Sequence, residues 1–230
     1  MLMKMTTSHF VKPMIMFYPM RILQPMSKGG KHVTPGTRKN QILAAADLVL
    51  IEVGIERLTI DLIVEKAGIA KGTVYNYYKS KDEVLTDLSV KALTLLYEAF
   101  KKDAGQHQNS VDKLSAICMS NYRYYLNYPE YYKLVSFIER PEFGINANAY
   151  RKLSLSFQNF VQGIIKTGQK KGEISTSLNP VDIANVIWAS CIGVVQFVDS
   201  KKDLLKNPNE LDAEEFIRTF STMVTRGIIA

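Results

Sequence analysis

Two short helical patterns joined by a glycine turn, within residues 59–78, constrain the fold of this 230-residue chain most strongly. The apolar residues of the first pattern recur on one helical face at Ile60, Ile63, Val64 and Ala67. Thr59 is a suitable N-cap for that helix, and Gly68 a suitable terminator. A second helix begins near Ala70 or Lys71. Two helices with this short turn predict a helix-turn-helix, whose DNA-binding version places its second helix in the major groove.

The second helix, in the segment GIAKGTVYNYYKSK (68–81), has only a thin apolar stripe. At 100° per residue, the side expected to be buried consists of Ala70, Val74 and Tyr78. Gly72, on the opposite side, would let the backbone approach DNA closely. Tyr75 and Asn76 could contact base edges there. This side favours DNA binding over the alternative of a helical hairpin that only packs.

Five further side chains around this motif have the chemistry of phosphate contacts. Thr73 and Tyr77 carry hydroxyl donors, and Lys71 and Lys81 add positive charge at the two flanks of the helix. The Thr59 hydroxyl lies beside the free backbone N–H groups at the start of the first helix. The distribution of charge supports a DNA-binding motif in the N-terminal third. Residues 1–83 hold 12 Lys/Arg against 7 Asp/Glu, within a chain of net charge +7.

The rest of the chain shows helical periodicity without strand-like alternation, so the predicted fold class is all-α. Three helices are expected before residue 80, and a Ser80-x-x-Glu83 capping box opens the fourth helix. The expected helices are 37–53 with Thr37 as cap, 60–67, one from about 70, 80–100, 110–126, 129–140, 145–171, 180–200 and 212–228.

The run TRKNQILAAADLVLIEVGIERLTIDLIVEKAGIAKGTVYNYYKSKDEVL, residues 37–85, resembles the DNA-binding domain of TetR-family transcriptional regulators. The resemblance implies an all-α homodimer with an N-terminal three-helix helix-turn-helix domain (37–84) and a larger C-terminal helical bundle for ligand binding and dimerisation (85–230). It implies three partners: a double-stranded DNA operator, a second copy and an unidentified small molecule. The expected function is a ligand-released repressor; the alternative is a helical protein-interaction module without DNA binding.

The same resemblance implies a set of DNA contacts and an inward-facing aromatic residue. Family members contact DNA through the residues that match Thr59, Lys71, Gly72, Thr73, Tyr75, Asn76, Tyr77 and Lys81. Where this chain has Tyr78, the family usually has a buried Phe. The Tyr78 hydroxyl therefore needs a partner at the edge of the core.

The second domain is unusually rich in aromatic residues, with six tyrosines between residues 122 and 132. Aromatic residues at helical spacing are often core, but tyrosine hydroxyls also suit a pocket with a partly polar ligand. The candidate pocket residues are Tyr122, Tyr125, Tyr132, Phe137, Phe157 and Trp188. By resemblance, the small-residue helix around Trp188 and the last helix, with Phe216, Phe220 and Met223, form the dimer interface.

No enzyme or metal chemistry is indicated by the remaining motifs, and no cofactor is expected. No two of His9, His32 and His107 have metal-ligand spacing. Cys118 and Cys191 predict reduced, buried thiols in a cytoplasmic protein. Residues 1–36 are interpreted as a flexible basic leader, whose apolar runs are too interrupted for a membrane span, with Met26 as an alternative translation start.

Overall fold

A computed structural model describes residues 35–140, 148–201 and 212–230, and these are helical except for their connections and ends. The predicted all-α class is confirmed. The expected leader, residues 1–36, lies almost wholly outside the described residues. The helices are α1 (Pro35–Arg57), α2 (Ile60–Ala67), α3 (Lys71–Tyr75), α4 (Lys81–Ala104), α5 (Ser110–Asn127), α6 (Pro129–Ile138), α7 (Asn148–Lys170), α8 (Pro180–Lys201) and α9 (Ala213–Arg226).

Local side chains set the ends of the helices in the N-terminal third. The Thr59 hydroxyl accepts a hydrogen bond from the Leu62 N–H at 3.3 Å, as predicted for the cap of α2. Gly68 ends α2 with φ 63°, a left-handed conformation that favours glycine. Ser80 caps α4 by accepting from the Glu83 N–H, but the Glu83 carboxylate accepts from the Lys79 N–H instead of completing the box at Ser80.

The first helix differs from its predicted bounds at both ends. It begins at Pro35, so Thr37 lies in its first turn and is not its cap. Proline suits this position because a first-turn residue has no helical acceptor for its N–H. Gly54, predicted to end the helix, interrupts it with φ 77° and ψ 170°, and helical backbone resumes as far as Arg57.

Helix α4 is the element around which the described chain packs. It contacts α1, α5, α6 and α7, and nine of its residues are buried, Leu85, Leu88 and Phe100 among them. The expected boundary between the two domains, residues 84/85, falls inside the first turn of this helix. The helix-turn-helix is therefore attached to the second domain through one continuous helix. Near the C-terminus, Ile174 and Ile229 form an isolated bridge.

Candidate DNA-binding surface and ligand cavity

In the α3 segment (residues 70–78), two buried side chains fix the helix-turn-helix against the core. Val74 and Tyr78 are 0% and 2% exposed, and Ile63 of α2 packs in the same core. Ala70, predicted to belong to the buried stripe, is exposed, so that part of the prediction is wrong. The reason is that Ala70 is the N-cap of α3 with extended backbone (ψ 143°), and its side chain does not follow the helical period.

The opposite side of the segment is open to solvent, as the helical period predicted. Gly72, Tyr75 and Asn76 are exposed, whereas Thr73 and Tyr77 are half-buried. Helix α3 is only five residues long, and Asn76 is its C-cap. The backbone N–H groups of Tyr77 and Tyr78 both bond to the Val74 carbonyl, at 2.9 and 3.0 Å. These bonds hold the tight turn that presents the exposed side chains.

The two lysines predicted as phosphate contacts already have partners within the chain. The Lys71 ammonium lies 2.6 Å from an Asp61 carboxylate oxygen, and this contact raises the pKa of Lys71. Both side chains are exposed, so phosphate could exchange with the carboxylate. The Lys81 ammonium donates to the Ile55 carbonyl at 2.9 Å and is half-buried at the end of α1. Lys81 therefore stabilises the kinked end of α1.

Tyr78 has the hydroxyl partner that the sequence required. Its hydroxyl donates to Asp87 of α4 at 2.9 Å, and burial together with that carboxylate raises the pKa of Tyr78. Lys39 of α1 forms an ion pair with Asp87 at 2.7 Å and lies 5.3 Å from the centre of the Tyr78 ring. Sequence reasoning missed Lys39 and Asp87 because their spacing to Tyr78 forms no local motif. Together the three residues connect α1, the α3 segment and α4.

A second cluster of the same composition lies deeper in the protein. Asp47 of α1 accepts hydrogen bonds from Lys91 of α4 and from the hydroxyl of Tyr131 of α6. The Lys91 ammonium lies 5.3 Å from the centre of the Tyr131 ring. Asp47 is 7% exposed and Tyr131 5%. This cluster connects α1 directly to α6.

The second domain contains a cavity of about 440 Å³ between α7 and α8, with α4 and α5 at its inner wall. Two of the six predicted pocket residues, Phe157 and Trp188, line it. Their rings pack edge to face with centres 5.2 Å apart. Arg151, Gln158 and Asn185 are exposed and give the mouth of the cavity a polar character. A volume of this size is typical of small-molecule sites.

The other four predicted pocket residues lie elsewhere in the domain. Tyr122 stacks on Tyr125, whose hydroxyl donates to Asp199 at 2.7 Å. The Tyr132 hydroxyl accepts from Asn121 at 3.5 Å, and the Phe137 ring lies beneath the Arg140 guanidinium. The hydroxyls of Tyr125 and Tyr132 therefore have their partners inside the protein. The signal that sequence reasoning missed is the spacing of Tyr150, Phe157 and Val161 on one face of α7.

The cavity wall also carries a carboxylate that sequence reasoning did not single out. Glu139, at the end of α6, accepts a hydrogen bond from the Tyr150 hydroxyl at 2.9 Å. Its side chain is exposed and also lines the cavity. The surrounding protein raises the pKa of Glu139, while hydrogen bonds from Tyr150 and Trp188 oppose that rise. Burial raises the pKa of Tyr150, and the nearby carboxylate raises it further.

Comparison with known proteins finds a family match for the helix-turn-helix part of the chain. A family model described as bacterial regulatory proteins, tetR family, matches residues 42–88. The fatty acid metabolism regulator protein of Bacillus subtilis (strain 168) is 26% identical over 140 residues, which cover 60% of this chain and 72% of that protein. Residues 42–88 therefore form a TetR-family domain.

Solved structures of two regulators share the fold over most of the chain. The transcriptional regulator FadR from Bacillus subtilis, solved with stearoyl-CoA, has a TM-score of 0.64 and 20% identity, and covers 83% of this chain and 99% of its own. The ketosteroid transcriptional regulator KstR2 of Mycobacterium tuberculosis has a TM-score of 0.59 and 16% identity, with coverages of 86% and 98%. This TetR-family protein is a DNA-binding transcriptional regulator and not an enzyme. The alternative interpretation as a protein-interaction module is set aside.

Proposed function

We propose that this protein is a cytoplasmic repressor that binds an operator as a homodimer and releases it when a small molecule occupies the α7–α8 cavity. The observation that carries the proposal is the exposed side of the α3 segment. Val74 and Tyr78 anchor that segment from behind, and Gly72, Tyr75 and Asn76 are left facing outward. A ligand releases DNA only if it binds the conformation with low operator affinity more tightly than the conformation that binds the operator.

On DNA, we assign two kinds of contact to the predicted residues. Tyr75 and Asn76 contact base edges, and Gly72 allows the backbone to approach the groove. Thr59, Thr73 and Tyr77 donate hydroxyl hydrogen bonds to phosphates, and Lys71 and Lys81 contribute positive charge. Two such motifs in a dimer would enter successive major grooves about 34–36 Å apart.

Direct binding to DNA tests the proposal. Fluorescence anisotropy should show a specific complex with the DNA upstream of the protein's own gene. The affinity for that DNA should be at least ~10³-fold higher than the affinity for unrelated DNA. Adding stearoyl-CoA, the ligand of the Bacillus subtilis FadR structure, examines release by one apolar molecule. Equal affinity for upstream and unrelated DNA would contradict a sequence-specific repressor.

Gly72→Ala should separate the fold from DNA binding. A methyl group at residue 72 would meet no atom within 4 Å, and the backbone there has no positive φ. Alanine in a helix should stabilise the free protein by about 0.5–1 kcal/mol relative to glycine. The same methyl group should weaken operator binding, because it fills space between the backbone and the groove. Thermal unfolding and anisotropy measure the two effects, and unchanged operator affinity would remove Gly72 from the interface.

The dimer interface is assigned to the outer sides of α8 and α9. Val186 and Phe197 of α8 and Met223 of α9 are 58%, 44% and 70% exposed. By length and composition alone α8 could cross a membrane. Its other side, however, packs in the core through Ile187 and Val195. An apolar outer side on a helix already packed on one face suits a second copy of the chain.

Gly193→Glu should convert the dimer into a monomer. Gly193 lies on the outer side of α8, and an added side-chain atom would meet nothing within 4 Å in a single chain. In the dimer, a charged side chain there would be forced between the two copies. Gly163→Glu on α7 is the matched control, because that glycine is also exposed and unobstructed. Light scattering should give about twice 26.0 kDa for the wild type and the control, and 26.0 kDa for Gly193→Glu. A dimeric Gly193→Glu protein would contradict this interface.

A further inference from the structure

One wall of the cavity combines a carboxylate with aromatic rings. Glu139 lines the cavity together with Tyr150, Phe157 and Trp188. The Tyr150 hydroxyl donates to Glu139 Oε1 at 2.9 Å, and the Trp188 ring lines the same cavity. Hydrogen bonds donated to a carboxylate favour its ionised form. When ionised, Glu139 places a negative charge in the cavity that the Trp188 ring also lines.

The Glu139 carboxylate has no basic partner among the described residues. No lysine or arginine of residues 35–140, 148–201 or 212–230 forms an ion pair with it, and the groups that act on it are Tyr150 and Trp188. Arg151 lines the same cavity but is not within ion-pair distance of Glu139. A carboxylate offers about four acceptor positions, of which the Tyr150 hydroxyl uses one. Acceptor capacity remains for a ligand.

The neighbouring rings form an aromatic surface. The Trp188 and Phe157 rings meet edge to face at 5.2 Å, and the Phe157 and Phe100 rings lie 4.9 Å apart at 44°. Tryptophan is the side chain whose ring face attracts cations most strongly. The inner wall beyond these rings is aliphatic, with Leu93, Ile117 and Ile187. A cation at the rings and an apolar body against the aliphatic wall would be complementary to this cavity.

We propose that the cavity binds an apolar molecule that carries a positively charged amine, held by the Glu139 carboxylate and the Trp188 ring. This proposal rests on the proposed function, because it takes the same cavity as the ligand site. Direct binding of the amine in the absence of DNA tests it separately. Among ligands of equal length, an amine gains the ion pair and the cation–π contact. An alcohol gains at most a hydrogen bond, and a carboxylate is repelled by Glu139.

Trp188 is the only tryptophan of the chain, so its fluorescence reports on this cavity alone. The full-length protein is titrated with octylamine, octan-1-ol and octanoate below their aggregation concentrations. Octylamine should bind about tenfold more tightly than octan-1-ol, and octanoate most weakly. Glu139→Gln, which keeps the shape of the side chain, should lower octylamine affinity by about tenfold and change octan-1-ol affinity by less than about twofold.

Arg151→Gln is the matched control, because it removes a charge of the opposite sign from the same cavity. It should leave octylamine affinity unchanged or raise it. The proposal is overturned if octanoate binds as tightly as octylamine, or if Glu139→Gln leaves octylamine affinity at the wild-type value. Quenching by stearoyl-CoA without any response to octylamine would also overturn it, and operator release by stearoyl-CoA would then leave the proposed repressor function intact.

Discussion

Replacing Tyr75 and Asn76 with alanine is expected to reduce operator affinity by about 1–3 kcal/mol for each residue that contacts a base edge. Both side chains are exposed on the α3 segment, and Tyr75 is 47% accessible. Their removal leaves the core contacts of Val74 and Tyr78 in place, so the fold should be retained. Affinity for unrelated DNA should change little, because phosphate contacts supply that binding. The measured consequence is a loss of sequence preference rather than a uniform weakening.

The matched control for this pair is Asn159→Ala, which removes an exposed asparagine from α7, outside the motif. Anisotropy titrations with operator and scrambled DNA should show wild-type preference for this control. A double variant, Tyr75→Ala with Asn76→Ala, should combine both losses. If it binds the operator with wild-type affinity and selectivity, these residues do not contact bases, and sequence must be read elsewhere on the protein.

The helix-turn-helix could be predicted from sequence because its determinants are local. Thr59 caps a helix whose first free N–H groups lie two to three residues away, and Gly68 ends the same helix through its left-handed backbone. Val74 and Tyr78 follow the helical period closely enough to be identified as buried. Ala70, the residue of the predicted buried stripe that is exposed, lies at the point where the chain leaves extended geometry and enters the helix.

The ligand cavity could not be predicted in the same way because its wall is assembled from distant helices. Leu93 of α4, Ile117 of α5 and Trp188 of α8 come together only after packing. The density of tyrosines pointed instead to residues 122–132. Their hydroxyls bond to groups far away in sequence, as Tyr125 does to Asp199 and Tyr131 to Asp47. A dense aromatic run thus indicates a need for hydroxyl partners, and only the tertiary structure decides whether a ligand supplies them.

Asp47→Ala is expected to lower the free energy of unfolding by about 2–3 kcal/mol, because it removes the shared acceptor of a buried cluster. The Tyr131 hydroxyl, in a side chain that is 5% exposed, would be left without a partner. Lys91 contributes less, since 44% of its side chain is accessible and it can turn toward water. Urea unfolding followed by circular dichroism, at one fixed protein concentration, measures the change.

Asp87 offers a matched control, because it also accepts from a tyrosine and a lysine but its side chain is 33% exposed, against 10% for Asp47. Water can replace Asp87 as the partner of Tyr78 and Lys39, so Asp87→Ala should cost about 1 kcal/mol. Asp47→Asn keeps an acceptor for Tyr131, so its loss of unfolding free energy should lie between those of Asp47→Ala and Asp87→Ala. If Asp87→Ala is the more destabilising change, burial of the shared acceptor does not determine the strength of these two clusters, and the link between α1 and α6 is weaker than its geometry indicates.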